Sequence, residues 1–296
     1  MRKMKRHTDY YVWNIQSVEN KNRKVWRNAG VESMTEKRVA IVTGGTRGIG
    51  QAISIELAKR GNIVLAVYRS NEGSVQETKQ KMQEYTPESA AIHGDVSKQE
   101  DIAQIMNYVE EHFGRVDILV NNAGIFDFNF IEDMTEEYLD NILAVNFKSP
   151  FLMTKAVIPY MKKQHYGRII NASSISSSFA DCGLVGYGAS KACVDMLTKI
   201  ASAELGPYGI TVNAYAPGIT HTDMTDAMIK ERGDVQVKQI SLGRFGACGE
   251  VAALVSFLAS EECSYVTGEI IGVDGGMFKV QNPYRAYEYA ESDCAL

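Results

Sequence analysis

A phenol and an ammonium stand four residues apart in Tyr187-Gly188-Ala189-Ser190-Lys191. On a helix, that spacing puts both side chains on one face, one turn apart. A free tyrosine has a pKa of about 10, and a cation beside it favours the phenolate and lowers that value. A phenol tuned toward neutrality gives a proton to a carbonyl oxygen or takes one from an alcohol. Thirteen positions before Tyr187 lies Ser174, at the end of Arg168-Ile169-Ile170-Asn171-Ala172-Ser173-Ser174. That run reads as a buried strand ending in hydroxyls, and a hydroxyl there can hydrogen-bond a carbonyl oxygen above the sheet. Taken alone, Tyr-x-x-x-Lys also describes two ordinary helix-surface residues, so the rest of the chain has to decide.

The elements that would position these groups alternate. Short apolar runs predict strands at Val39 to Thr43, Ile63 to Tyr68, Ala90 to His93, Val116 to Val120, Ile169 to Ala172, Thr211 to Tyr215 and Ile270 to Val273. Between them, periodicity predicts helices over 51–60, 72–84, 99–113, 135–163, 187–205 and 250–260, the long one irregular around Lys148-Ser149-Pro150. Alternating strands and helices imply right-handed crossovers and a parallel sheet covered on both faces. The expectation is a single α/β domain, a doubly wound Rossmann-type parallel sheet of six to seven strands. Ligands of such sheets bind beyond the carboxyl ends of the strands. The unusual sequences all fall there: a glycine turn, Asp95, Asn121 to Gly124, Ser174 and Pro217-Gly218.

The glycine turn is Thr43-Gly44-Gly45-Thr46-Arg47-Gly48-Ile49-Gly50. Glycines let the backbone approach a pyrophosphate, and the helix amino terminus behind them favours its charge. The alternative is a tight turn with no ligand. A carboxylate at the end of the second strand would bind the ribose hydroxyl of NAD, whereas a basic residue accepts the 2′-phosphate of NADP. Here that strand ends Val67-Tyr68-Arg69-Ser70, Arg47 projects from the glycine turn, and no acid appears before Glu72. The expected cofactor is therefore NADP(H), with NAD(H) possible. Asp95-Val96 follows the third strand; its carboxylate reads either as an acceptor for an adenine amine or as a turn or N-cap residue.

Composition removes other classes. With 31 basic and 36 acidic residues the net charge is -5, which argues against a nucleic-acid binder dominated by phosphate contacts. No apolar run reaches the roughly 18 residues of a membrane span. The five cysteines (Cys182, Cys193, Cys248, Cys263, Cys294) have no Cys-x-x-Cys spacing, which fits a reducing, cytoplasmic setting without disulfides or zinc. Residues 1–35 form a separate basic extension, with eight basic against three acidic residues and no apolar segment of a secretion signal. They read as a disordered arm, as an arm packed on a partner, or as sequence upstream of the native start. The last reading predicts that a chain starting at Met34 folds and works normally. The body spans 36–280, and an aromatic, acidic tail follows at 281–296.

Thr43 to Gly50, Asn121 to Gly124, Asn146, Ser174, Tyr187, Lys191 and Pro217-Gly218, in this order, resemble the short-chain dehydrogenase/reductase family over about residues 36–280. The resemblance implies that Tyr187 is the general acid in reduction and the base in oxidation. It implies that Lys191 holds the nicotinamide ribose and lowers the tyrosine pKa, that Ser174 orients the substrate oxygen, and that Asn146 supports a water-linked proton path to Lys191. By the same resemblance, the cofactor would lie on Gly44, Thr46, Arg47, Gly48, Ile49, Gly50, Arg69, Ser70, Asp95 and Val96. It would continue along Asn122, Ala123, Gly124, Tyr187, Lys191, Pro217, Gly218, Ile219 and Thr222. The family is usually dimeric or tetrameric, which implies a homodimer or homotetramer, and the tail reads equally as an arm reaching a neighbour or as a frayed end.

Within the family the chain is most similar to 3-oxoacyl-[acyl-carrier-protein] reductases, through Asn213 to Ile219, Thr222-Asp223-Met224, Leu242 to Phe245 and Val273 to Met277. That implies an acyl-thioester substrate. Two features depart from the group. Phe126-Asp127-Phe128-Asn129-Phe130 replaces the usual Thr-Arg-Asp, and His165 and Tyr208 stand where basic residues meet the carrier protein, with Lys162-Lys163 as a substitute pair. The phenylalanines would suit a bulky apolar alcohol or ketone such as a hydroxysteroid, or they pack the core or a subunit contact; a sugar or polyol is a further alternative. A non-catalytic cofactor sensor on the same fold would not need Asn146, Ser174, Tyr187 and Lys191 together. A serine hydrolase is disfavoured, because Ser174 has no nucleophile-elbow context and no histidine partner.

Overall fold

The computed structural model describes residues 37–70 and 72–293, so the basic extension and Cys294 lie outside the described residues. Among them, seven parallel strands form one sheet: β1 (Val39–Thr43), β2 (Ile63–Tyr68), β3 (Ala90–His93), β4 (Ile118–Asn121), β5 (Gly167–Ala172), β6 (Ile210–Pro217) and β7 (Ile270–Val273). The strand order is β3-β2-β1-β4-β5-β6-β7. The chain therefore winds outward from β1 to β3, returns to lay β4 beside β1, and winds the other way to β7. The gap between β1 and β4 is the topological switch point, where loops leave in opposite directions and open a crevice.

The helices are α1 (Gly48–Lys59), α2 (Glu72–Gln83), α3 (Gln99–His112), α4 (Glu136–Leu143), α5 (Ser149–Gln164), α6 (Val185–Leu205), α7 (Asp226–Gln236), α8 (Cys248–Leu258) and α9 (Arg285–Asp293). Strand side chains alternate between faces, so the apolar runs feed two cores. Ala40, Val42, Val64 and Val120 pack under Ile53 and Leu57 of α1 and Val251, Val255 and Leu258 of α8. Ile41, Leu65, Leu119 and Ile169 face the other side, against Ile105 and Val109 of α3 and Met153 and Val157 of α5. Strands buried on both faces need no polar alternation, which is why they read as unbroken hydrophobic runs.

Several elements differ from expectation. The long helix is irregular at Ala144–Lys148, a π-helical turn between α4 and α5 that meets the expected Lys148-Ser149-Pro150 stretch at Lys148, while Pro150 itself sits harmlessly in the first turn of α5. The fourth strand starts at Ile118, two residues after the expected Val116, and the Asp117 carboxylate just before it accepts from Arg115 (2.8 Å) and from the Val39 amide (2.9 Å). The tail forms α9, and its Tyr287 hydroxyl donates to the Ser241 carbonyl at 2.9 Å, so this segment folds back on its own chain. No helix among the described residues is long and apolar enough to cross a membrane.

Candidate active site

A crevice runs along the carboxyl ends of β1, β2, β4, β5 and β6. Its floor at the switch point is the glycine turn. Gly44 has φ +63°, a conformation other residues rarely adopt, and a Cβ on Gly50 would lie 2.0 Å from the Gly44 carbonyl oxygen. Asn122 locks the turn from β4. Its Nδ2 donates to the carbonyls of Thr43 (3.0 Å) and Gly44 (3.2 Å), and its Oδ1 accepts from the Tyr215 hydroxyl at 2.9 Å. The Thr43 hydroxyl takes the amides of Asn122 and Ala123, both at 3.0 Å. Behind the turn, α1 has Arg47 at its N-cap with no side-chain cap and no acid in its first turn. Its leading amides are therefore open to an anion.

At one end of the crevice lie Tyr68, Arg69 and Ser70 from β2 and Gly94, Asp95 and Val96 beyond β3. The Arg69 guanidinium is 3.9 Å from the Asp95 carboxylate. Asp95 plays the turn part as well: its Oδ1 accepts from the Ser97 amide (3.0 Å) and hydroxyl (2.7 Å). Burial pushes its carboxyl up, but those hydrogen bonds and the charges of Arg69 and Lys98 outweigh burial and hold it below the usual value. No carboxylate stands at the end of β2 itself.

The proton-handling candidates gather at the other end. Tyr187 and Lys191 project from the first turns of α6. The Lys191 Nζ donates to the Ala172 carbonyl at 2.8 Å and lies 5.6 Å from the centre of the Tyr187 ring. Only 4% of Lys191 is exposed, and burial depresses its pKa to about 8, with Asp195 working against that shift. The Ser174 side chain lies beside the Tyr187 phenol. The phenol's pKa is raised by burial, with Ser174 opposing. The expected lowering by the lysine is thus not what the geometry delivers. Desolvation dominates both groups, and the ammonium is turned toward a backbone carbonyl. Asn146, in the π-helical turn, clasps Ile125: its Oδ1 accepts from the amide at 2.8 Å and its Nδ2 donates to the carbonyl at 2.9 Å. Nδ2 also reaches the Ser190 hydroxyl (3.1 Å). A π-helical turn re-aims a side chain that a regular helix would carry elsewhere.

Most sequence-predicted residues line this one crevice: Gly44, the Thr46 to Gly50 run, Arg69, Ser70, Asp95, Val96, Asn122 to Gly124, Tyr187, Lys191, Pro217 and Thr222. Four do not line it. Ser174 and Asn146 act on it through Tyr187 and Ile125, whereas Gly218 and Ile219 stand outside the wall. A Cβ on Gly218 would meet Asp274 at 2.9 Å, so this glycine serves close packing. Sequence reasoning missed Tyr215, Val145, Ser173 and Asp223 as lining residues. Tyr215 read as an apolar strand residue, and only the β4–β6 geometry brings its hydroxyl to Asn122. Above the crevice, Thr222 comes within 3.4 Å of where a Cβ on Gly48 would lie, and Met224 is exposed beside it. Phe126 stands edge-on to the Tyr187 ring, centroids 5.0 Å apart at 88°. The Asn129 amide ties its loop to the Gly183 carbonyl at 2.8 Å. Lys162 lies 4.0 Å over the Tyr208 ring.

The family model described as Enoyl-(Acyl carrier protein) reductase matches residues 44–278. The chain is 40% identical over 239 residues to the 3-oxoacyl-[acyl-carrier-protein] reductase FabG of Staphylococcus epidermidis, covering 81% of this chain and 98% of that one. Among solved structures it resembles a short-chain dehydrogenase/reductase variant from Serratia marcescens, with TM-score 0.76, 33% identity, and 81% and 97% of the two chains covered. It also resembles the acetoin dehydrogenase YohF from Salmonella typhimurium, with TM-score 0.76, 34% identity, and 83% and 98% covered. Fold and site define an oxidoreductase acting on CH–OH or keto groups. The chain belongs to the short-chain dehydrogenase/reductase family.

Proposed function

We propose that the protein is an NADP(H)-dependent oxidoreductase that interconverts a ketone and a secondary alcohol, with Tyr187 as acid and base, on 3-oxoacyl-thioester-like substrates. One observation carries this reading: the Tyr187 phenol stands with Lys191 at the end of a crevice whose floor excludes a Cβ at Gly50, with Ser174 beside the phenol. A missing Cβ and uncapped helix amides suit a pyrophosphate lying against the backbone. Gly44, the Thr46 to Gly50 run and Asn122 to Gly124 would hold the dinucleotide, with Arg47, Arg69 and Ser70 taking a 2′-phosphate and Pro217 and Thr222 bordering the nicotinamide. When bound, that cofactor supplies hydride transfer. The chain supplies position and proton handling. Ser174 orients the substrate oxygen, and Tyr187 gives it a proton in reduction. A phenol held above its ordinary value by burial stays protonated through neutral pH, which suits a proton donor. Lys191 holds the nicotinamide ribose and supports the phenolate left behind, and Asn146 fixes the Ile125 backbone beside it.

The acyl-thioester assignment rests on the likeness to the Staphylococcus epidermidis reductase. The catalytic unit in this reading is 36–280, assembled as a homodimer or homotetramer in the cytoplasm, with Lys162 and Lys163 facing a carrier protein. The Phe126 contact on Tyr187 favours a second reading, a bulky apolar ketone or hydroxysteroid. Steady-state kinetics on acetoacetyl thioesters, steroid ketones and sugars, each with both cofactors, separates these. The expected result is the highest kcat/KM with an acetoacetyl thioester and NADPH. Higher kcat/KM with NADH would overturn the cofactor assignment, and turnover of steroid ketones alone would move the substrate to the second reading.

A further inference from the structure

Helix α6 carries a third polar residue at the same spacing, Asp195, four positions beyond Lys191. Tyr187, Lys191 and Asp195 therefore lie along one face. Asp195 is half-buried, and its Oδ1 accepts from the Ser173 hydroxyl at 2.5 Å. Ser173 is 3% exposed and lines the crevice. The residue before it, Ala172, accepts from the Lys191 ammonium, and the residue after it, Ser174, lies beside the Tyr187 phenol. Three consecutive residues at the end of β5 are thus met by three residues of α6.

We propose that Asp195 is a positioning residue for this chemistry: through Ser173 it fixes a carboxylate on the Lys191 face of α6 and holds the end of β5 in register with the Tyr187–Lys191 pair. The inference rests on the roles proposed above for Tyr187 and Lys191. Its consequence is electrostatic as well as steric. Burial favours loss of the lysine's proton, and the Asp195 carboxylate opposes that loss. Tyr187 on its own helix and Asn146, whose Oδ1 meets the same Gly124 position as the Lys191 Nζ, are the other polar groups beside Lys191, with Tyr215 of β6 lining the same crevice, and none of them carries a charge near pH 7. Ser173, adjacent to the substrate-orienting serine, thereby gains a separate task.

The test uses the full chain with 13Cε-labelled lysine, titrated by NMR without cofactor, beside the pH profile of kcat/KM for ketone reduction. Asp195→Asn should lower the Lys191 midpoint by about 1 pH unit, the size expected for losing a nearby opposite charge. The descending basic limb of the profile should move to lower pH with it. Asp195→Glu should restore both, and Ser173→Ala, which keeps the charge but frees it, should move both in the same direction by less. Should Asp195→Asn fail to fold, Ser173→Ala carries the test. An unchanged Lys191 midpoint with a rate reduced equally at all pH values would overturn the proposal. A shifted midpoint with an unshifted rate profile would support the carboxylate's hold on Lys191 and contradict the proton-handling role of that lysine.

Discussion

Lys191 is a cation in a place that resists charge. Burial takes its pKa from 10.5 to about 8. Between those values the unfolded chain carries a proton on this lysine that the folded chain lacks, so stability rises with pH across that window and is least favoured below it. Lys191→Met removes the group and its pH dependence. The stability of the variant relative to wild type should therefore be most favourable near neutral pH and decline as pH rises from 8 toward 10.5. Urea denaturation of both proteins at a series of pH values measures this, and a constant difference would show that the lysine is not held down by burial. Sequence made Tyr187, Lys191 and Ser174 legible because their spacing is fixed by one helix and one strand end. It hid Asp195 and Tyr215, whose partners Ser173 and Asn122 lie 22 and 93 positions away in the chain. It also misjudged the phenol, since spacing reports the distance to a cation but not the desolvation of either group.

At the scale of elements, the β1–α1 turn is the tightest joint. A methyl group on Gly50 would press on the Gly44 carbonyl at 2.0 Å and the Asn122 amide at 2.5 Å, both rigidly held. Gly50→Ala should cost about 1–3 kcal/mol in urea denaturation, the usual range for overpacking a well-filled site. It should also weaken dinucleotide binding, because the turn must shift away from Asn122. Wild-type stability in that variant would mean that the turn has slack. All seven strands were legible to within two residues at either end, since strands buried on both faces leave unbroken apolar runs. The helix break was expected around Lys148, but its π-helical form from Ala144 was not, because nothing in its Ala-Val-Asn-Phe-Lys sequence departs from an ordinary helix. Proline attracted attention at Pro150 instead, where the first turn of a helix tolerates it. The fold-back of α9 onto Ser241 was equally invisible, because it depends on one tyrosine meeting one carbonyl.

The whole molecule divides its labour across the crevice. In the proposed reading, the switch point between β1 and β4 offers backbone and cations for binding, and the end of β5 with the start of α6 offers hydroxyls and an ammonium for proton transfer. The parallel, doubly wound sheet followed from the alternation of elements, and so the convergence of distant motifs at the carboxyl ends of the strands was readable in the sequence, whereas the strand order was not. Because most of the proposed dinucleotide contacts lie outside α6, proton transfer should be removable without loss of binding. The direct test is Tyr187→Phe, which deletes only the hydroxyl. Thermal unfolding should still rise with NADPH as in wild type, the ligand at 100 times its Kd adding about 2.7 kcal/mol, while turnover of the best ketone falls by about 10²-fold or more, the contribution of a positioned acid. Near-normal turnover in Tyr187→Phe, with NADPH bound, would contradict the account.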